Sequence, residues 1–323
     1  EWLPGRDYGV RSIPQIDSRE PLWSRPSLPD EVEAGRHWLP GTATGKRETL
    51  ITGVLDATPR HVLVLPTDGW SPFIAAAGTA GFFLLLTVSQ VALSVACGVL
   101  AIAAIVHWMW GSDRVPPMAT AQVADRVTLP IGANGRRSHS WWGTVVLVAV
   151  DLTIFGCFVY SHMHVAMLGD VCPPLGATLP AGHWPAAAAA LWVAGSLAMV
   201  GATRALGDAS AARQRRMRWC VVLALGCACA AFALDVYGHR SVGLEPDAQA
   251  WSATVGVLLG YQGFHLAVLA IMGVYLLARS HTGLIAPQAR ATLDNTAVMW
   301  HCVTVQGIVG IATVRAMPWF AAL

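Results

Sequence analysis

Residues 145–157, VVLVAVDLTIFGC, form an almost continuous apolar run with a single carboxylate, Asp151, in its middle. The whole chain of 323 residues is 54% hydrophobic and only 12% charged, whereas soluble domains carry about 25% charged residues. A run of this kind indicates a helix that crosses a membrane. Asp151 would then lie close to the bilayer centre, where a charge costs at least a few kcal/mol.

Apolar runs of similar length recur from residue 71 to the end of the chain. They predict an all-α membrane protein with seven transmembrane helices, two followed by five, after an irregular N-terminal tail. We therefore divide the chain into a tail or linker, residues 1–70, and a seven-helix membrane domain, residues 71–323. The predicted spans are 71–88, 90–110, 141–165, 185–205, 217–237, 251–279 and 295–316.

The distribution of arginine orients the predicted bundle. With seven spans, eleven arginines fall at the loops on one side of the membrane, and only Arg240 and Arg315 fall on the other. Because cytoplasmic loops carry the excess of basic residues, we expect a cytoplasmic tail and a C-terminus outside. The basic cluster at residues 213–218 is a topology determinant and a candidate site for anionic lipid head groups. Its arginines are Arg213, Arg215, Arg216 and Arg218.

Three ionisable side chains fall inside the predicted spans, and such groups are functional candidates. Asp151 lies ten residues after Trp141, so its depth is about 15 Å. His265 lies at a similar depth, and His301 lies nearer the inner face. We expect Asp151 to be buried and mostly protonated. It either bridges helices through His265 or a hydroxyl group, or it handles protons, and the two roles are compatible.

The remaining polar groups and the absent motifs narrow the choice of function. His162 and His164 are expected to form hydrogen bonds at the membrane interface, and Asp235 is expected near the outer surface. The sequence contains no nucleotide-binding glycine loop and no CxxCH motif for haem attachment. Nothing in it indicates nucleic-acid binding.

Because the chain begins with Glu1 and lacks a signal-peptide pattern, we expect it to be a segment of a longer polypeptide.

Three of the predicted helices resemble those of subunit III of haem–copper cytochrome c oxidases. SWWGTVVLVAVDLTIFGCFVY, residues 140–160, is similar to its third helix, with Asp151 at the place of an acidic residue, usually Glu, and with Phe155 following. GYQGFHLAVLAIMGVYLL, residues 260–277, resembles its sixth helix through His265. MWHCVTVQGIVG, residues 299–310, resembles its seventh helix through Trp300 and His301.

The tail carries a second resemblance. Residues 1–23, EWLPGRDYGVRSIPQIDSREPLW, are similar to the segment that follows the last helix of oxidase subunit I. Residues 62–73, VLVLPTDGWSPF, resemble the link into the subunit III part of bacterial fused I+III polypeptides. The resemblance implies the C-terminal part of such a fusion, in the bacterial inner membrane, with the C-terminus on the periplasmic side.

The family implies a supporting role in a terminal oxidase that couples oxygen reduction to proton translocation. The resemblance places haem and copper in the partner subunits I and II, with cytochrome c docking through subunit II, and no redox metal in this chain. Subunit III stabilises subunit I, binds phospholipid and assists proton uptake. Asp151 matches the buried carboxylate of the family.

Two other functions are compatible with the same residues. One is a membrane cytochrome that binds haem or quinone through histidine side chains. The other is a small proton-coupled transporter in which Asp151 and His265 relay protons. The candidate histidines for the first are His162, His164, His265 and His301.

Overall fold

The computed structural model describes residues 14–34, 36, 48–53, 56, 58–65, 69–112, 119–124, 127–132, 139–169, 171–207 and 210–320. Most of the predicted tail motif, residues 1–13, lies outside this set. The chain forms two compact units, residues Glu1–Asn134 and Gly135–Leu323. The division predicted near residue 70 stays a prediction.

The first unit contains more regular structure than composition suggests. Its described tail residues form two short helices, α1 (Pro21–Ser24) and α2 (Leu28–Glu33), and an antiparallel hairpin of β1 (Glu48–Thr52) and β2 (Pro59–Val64). A second hairpin, β3 (Thr120–Ala124) and β4 (Val127–Pro130), lies in the predicted loop after the second span. Val62 forms a bridge to Ile131, which joins the two hairpins. The two short helices and the hairpin of β1 and β2 depart from the irregular tail that we expected.

Two apolar helices of the first unit pack as a tight antiparallel pair, α3 (Ser71–Thr87) and α4 (Val91–Ser112). The turn between them places Ser89 in the left-handed region, with φ of 59°. The Ser94 hydroxyl donates a hydrogen bond of 2.8 Å to the Phe82 carbonyl across the pair. At Gly78 an added Cβ would lie 3.0 Å from the Ala101 nitrogen. The absence of a side chain there lets the two backbones approach closely.

The second unit consists of five long helices. They are α5 (His139–Leu168), α6 (His183–Ala205), α7 (Ala211–Ser241), α8 (Ala250–His281) and α9 (Ala291–Phe320). Helix α5 packs against α8 and α9, while α6 packs against α7 and α9. The main core lies among α6 to α9 and includes Trp192, Met199 and Trp300, each at most 1% exposed. This arrangement brings the side chains of α5, α8 and α9 together in the middle of the bundle.

Six of the helices, α4 to α9, are long and apolar enough to cross a membrane. They correspond to the second to seventh predicted spans, so the structure supports a helical membrane protein with six candidate spans. Helix α3 has 17 residues and is therefore about 25 Å long, a little less than the roughly 30 Å hydrocarbon core. It is a shorter apolar helix that falls below the length of a candidate span.

Candidate functional site

Asp151 forms side-chain hydrogen bonds to two other helices of the second unit. Its Oδ1 atom lies 2.5 Å from the Tyr261 hydroxyl and 2.9 Å from Nε2 of His265, both on α8. Its Oδ2 atom accepts a hydrogen bond of 2.5 Å from Nε2 of Gln306 on α9. We call Asp151, Tyr261, His265 and Gln306 the carboxylate cluster. The contact that the sequence suggested between Asp151 and His265 is present.

The local geometry of α8 explains how two of its side chains reach the same carboxylate. Tyr261 and His265 are four residues apart and therefore lie on one face of the helix. Their rings meet edge to face, with centroids 4.4 Å apart. Phe155 of α5 stacks on Tyr261 at a centroid distance of 6.3 Å and an interplanar angle of 14°. Phe155 thus contributes packing to the carboxylate cluster.

The hydrogen bonds of His265 define how many protons the cluster holds. Its Nδ1 atom lies 2.9 Å from the Tyr261 backbone carbonyl, which can only accept, so Nδ1 carries a hydrogen. The contact between Nε2 and Oδ1 of Asp151 then needs one further proton. That proton resides either on the carboxyl group or on the ring. Both arrangements carry no net charge, which keeps an uncompensated charge out of the membrane interior.

The cluster is well shielded. The His265 side chain is 1% exposed and that of Asp151 15% exposed, and Gln306 is fully buried. Removing one partner of a buried hydrogen bond costs about 1–3 kcal/mol because the other partner loses its solvation. In membrane bundles the measured net value averages about 0.6 kcal/mol per interhelical bond. The cluster therefore stabilises the packing of α5 on α8 and α9 by roughly 2 kcal/mol over its three bonds.

The two other residues of the family motifs lie in the core rather than in the cluster. Trp300 is fully buried among α6 to α9. Nδ1 of His301 lies 2.6 Å from the Ser196 hydroxyl, so the side chain joins α9 to α6. Both residues thus contribute to helix packing, and neither contacts Asp151 through a hydrogen bond that the described residues show.

The four arginines of the basic cluster differ in their surroundings. Arg213, Arg215 and Arg216 are exposed. Arg218 is half-buried, and its guanidinium donates hydrogen bonds of 2.8 Å to the hydroxyl and to the carbonyl of Ser280 at the end of α8. Arg218 therefore joins α7 to α8, whereas Arg215 and Arg216 remain candidates for lipid head groups.

The histidines at the ends of the spans do not converge on a ligand. His162, expected at the interface, is fully buried, and its Nδ1 atom lies 2.9 Å from the Thr254 hydroxyl. His164 stacks on Tyr160. Both ring nitrogens of His265 are already engaged, which leaves it no nitrogen for a haem iron. Within the described ranges, no three His, Cys, Asp or Glu side chains gather in a way that could hold a metal ion.

A buried pair on α7 was not anticipated. Asp235, expected near the outer surface, is 8% exposed, and its carboxylate lies 3.4 Å from Nδ1 of His239. The same nitrogen is 2.9 Å from the Asp235 carbonyl. The spacing of four residues between the two was the available signal. Tyr261 and Gln306 were also missed, because neutral polar side chains do not stand out in an apolar span.

Comparison with known proteins adds no assignment. No protein-family model matches the chain, and no curated protein sequence matches it.

Proposed function

We propose that this chain is a subunit III-like segment of a haem–copper terminal oxidase, in which it supports the catalytic subunit. The proposal rests on the family motifs of α5, α8 and α9. The oxygen-reducing haem and copper belong to subunit I, and cytochrome c donates electrons through the copper of subunit II. No catalytic residue is assigned to this chain. Its cofactors are bound phospholipids.

One observation carries the proposal. The three helices with family motifs, found by sequence alone, are the helices that hydrogen bonds join at Asp151. The matched acid of α5, Asp151, and the matched histidine of α8, His265, contact each other, which supports the match of these two helices. The acid and the aromatic residue of α5, Asp151 and Phe155, both contact Tyr261 of α8.

The proposal assigns a role to each part of the chain. The carboxylate cluster holds the helices together and keeps one exchangeable proton inside the membrane. Arg215 and Arg216 bind anionic phospholipid at the cytoplasmic face. Helix α3 crosses the membrane as well and brings the number of spans to seven. The tail is therefore cytoplasmic, and the C-terminus lies on the periplasmic side of a bacterial inner membrane.

Purification from native membranes tests this assignment. The chain, tagged at its C-terminus and extracted in mild detergent, should copurify with haem- and copper-containing polypeptides. The preparation should show the reduced-minus-oxidised haem spectrum of an oxidase and consume oxygen with reduced cytochrome c. An intact preparation without haem and without oxygen consumption would contradict the proposal.

A second candidate, a small proton-coupled transporter, is favoured by one observation, the 2.9 Å contact between the Asp151 carboxyl group and Nε2 of His265. The two functions are separated by reconstituting the purified chain into vesicles that contain a pH-sensitive dye. A transporter would move protons with a co-substrate gradient in the absence of any haem protein. The oxidase segment should not move protons under these conditions. The Asp151→Asn variant is the matched control, because a transporter that uses Asp151 should lose its proton movement in that variant.

A further inference from the structure

A cavity with a mostly apolar wall and a few polar groups lies beside the carboxylate cluster, lined by residues of α5, α7, α8 and α9. His239, Gln262 and Gln306 line it together with apolar residues such as Leu258 and Val314. Two polar atoms in its wall, Nε2 of His239 and Oε1 of Gln306, have no hydrogen-bond partner among the described residues. His239 is 6% exposed and Gln306 is fully buried, so bulk solvent does not satisfy them.

The two atoms need different kinds of partner. Nδ1 of His239 donates to the Asp235 carbonyl, so Nε2 accepts a hydrogen bond in the neutral ring and donates one in the protonated ring. Gln306 donates through Nε2 to Asp151, so its Oε1 atom is an acceptor without a partner among the described residues. Water is the smallest molecule that both donates and accepts, so it can satisfy both atoms in either state of the ring.

We propose that the cavity is a water-binding site in which ordered water forms hydrogen bonds with Nε2 of His239 and with Oε1 of Gln306. The space has room for roughly one or two water molecules, and water in such a site needs two to four polar partners. This inference does not depend on the oxidase assignment. It extends the polar network from Asp235 on α7, through water, to the Gln306 amide and Asp151.

The water also completes the hydrogen bonding of the Gln306 amide. Nε2 of that amide donates to Asp151, and water that donates to Oε1 satisfies its remaining acceptor. The cavity therefore brings water to within one side chain of the carboxylate cluster.

Hydroxyl-radical labelling tests the site in the purified full-length chain. X-ray radiolysis produces radicals from bound water, and mass spectrometry measures which side chains are oxidised. Leu258 lines the cavity and is 6% exposed, whereas Leu269 is fully buried in the main core and does not line it. We expect Leu258 to be oxidised faster than Leu269. Equal rates would overturn the proposal.

A cavity-filling variant distinguishes bound water from radicals that enter from outside. Gly310 lines the cavity, and a Cβ added there meets no atom within 4 Å, so Gly310→Leu has room to fill the space. Oxidation of Leu258 should fall to the level of Leu269. Gly226 is an exposed position on α7 where an added Cβ also meets no atom within 4 Å. The control variant Gly226→Leu should therefore leave the oxidation of Leu258 unchanged. Persistent oxidation of Leu258 in folded Gly310→Leu would refute the site. If that variant does not fold, the smaller Gly310→Val replaces it in the same comparison.

Discussion

Nε2 of His265 lies 2.9 Å from Oδ1 of Asp151, while Nδ1 of the same ring faces the Tyr261 carbonyl at the same distance. The carbonyl fixes the hydrogen on Nδ1, so the carboxyl group and the ring hold one further proton between them. Together they carry no net charge. This arrangement explains how a carboxylic acid is accommodated in an apolar helix of a membrane bundle.

Substitutions of Asp151 should separate lost hydrogen bonds from altered protonation. Asp151→Leu leaves Tyr261, His265 and Gln306 without their partner, and we expect a loss of about 2 kcal/mol in unfolding free energy. Asp151→Asn retains one acceptor and one donor at the same place, so part of the hydrogen-bond network is kept. Its cost should be below about 1 kcal/mol. Thermal unfolding in detergent measures both, and equal losses would argue against the hydrogen-bond network.

Two glycines on one helix should respond in opposite ways to the same change. A Cβ at Gly307 would lie 2.8 Å from Nε2 of Gln262 and 2.9 Å from Nε1 of Trp192, so Gly307→Ala overpacks the core. We expect a loss of about 1–3 kcal/mol. Gly310→Ala meets no atom within 4 Å and should be neutral or gain up to about 1 kcal/mol from helix propensity. Denaturation of the two variants side by side tests this, and equal stability would contradict the packing at Gly307.

The basic cluster should divide into a structural arginine and two lipid-facing ones. Arg218→Ala removes two charge-assisted hydrogen bonds to Ser280 and should lower stability by about 1 kcal/mol, since the site is partly solvated. Arg215→Ala and Arg216→Ala should leave stability unchanged. Each should instead weaken binding to anionic vesicles about fivefold, because a basic residue near such a surface contributes about 1 kcal/mol. Vesicle cosedimentation at several salt concentrations distinguishes the two classes.

Whether α3 crosses the membrane decides whether the two ends of the chain lie on the same side or on opposite sides. If α3 crosses the membrane with α4 to α9, a cysteine placed at exposed Asp17 and a tag after Leu323 lie on opposite sides. A membrane-impermeant maleimide should then fail to label Asp17→Cys in intact spheroplasts while a protease removes the C-terminal tag. Labelling of both ends from one side would show an even number of spans.

Hydropathy predicted the six candidate spans because each is a long apolar run, and counting residues along the helices placed Asp151 and His265 at a common depth. The burial of Asp235 was not predicted, because α7 continues to Ser241, one turn beyond the predicted end at residue 237. That extra turn provides His239 as its partner. The pairing of Val62 with Ile131 could not be foreseen, because it joins short segments that are far apart in the sequence.

The most direct test of the shared proton is nitrogen-15 solid-state NMR of His265 in lipid bilayers, assigned with a His265→Gln variant, combined with infrared spectra of Asp151. The account predicts a protonated Nδ1 and one proton between Nε2 and Oδ1, observed either as a neutral ring with a carboxylic acid or as an imidazolium with a carboxylate. A neutral ring with an unprotonated Nδ1 beside an ionised carboxylate would contradict it.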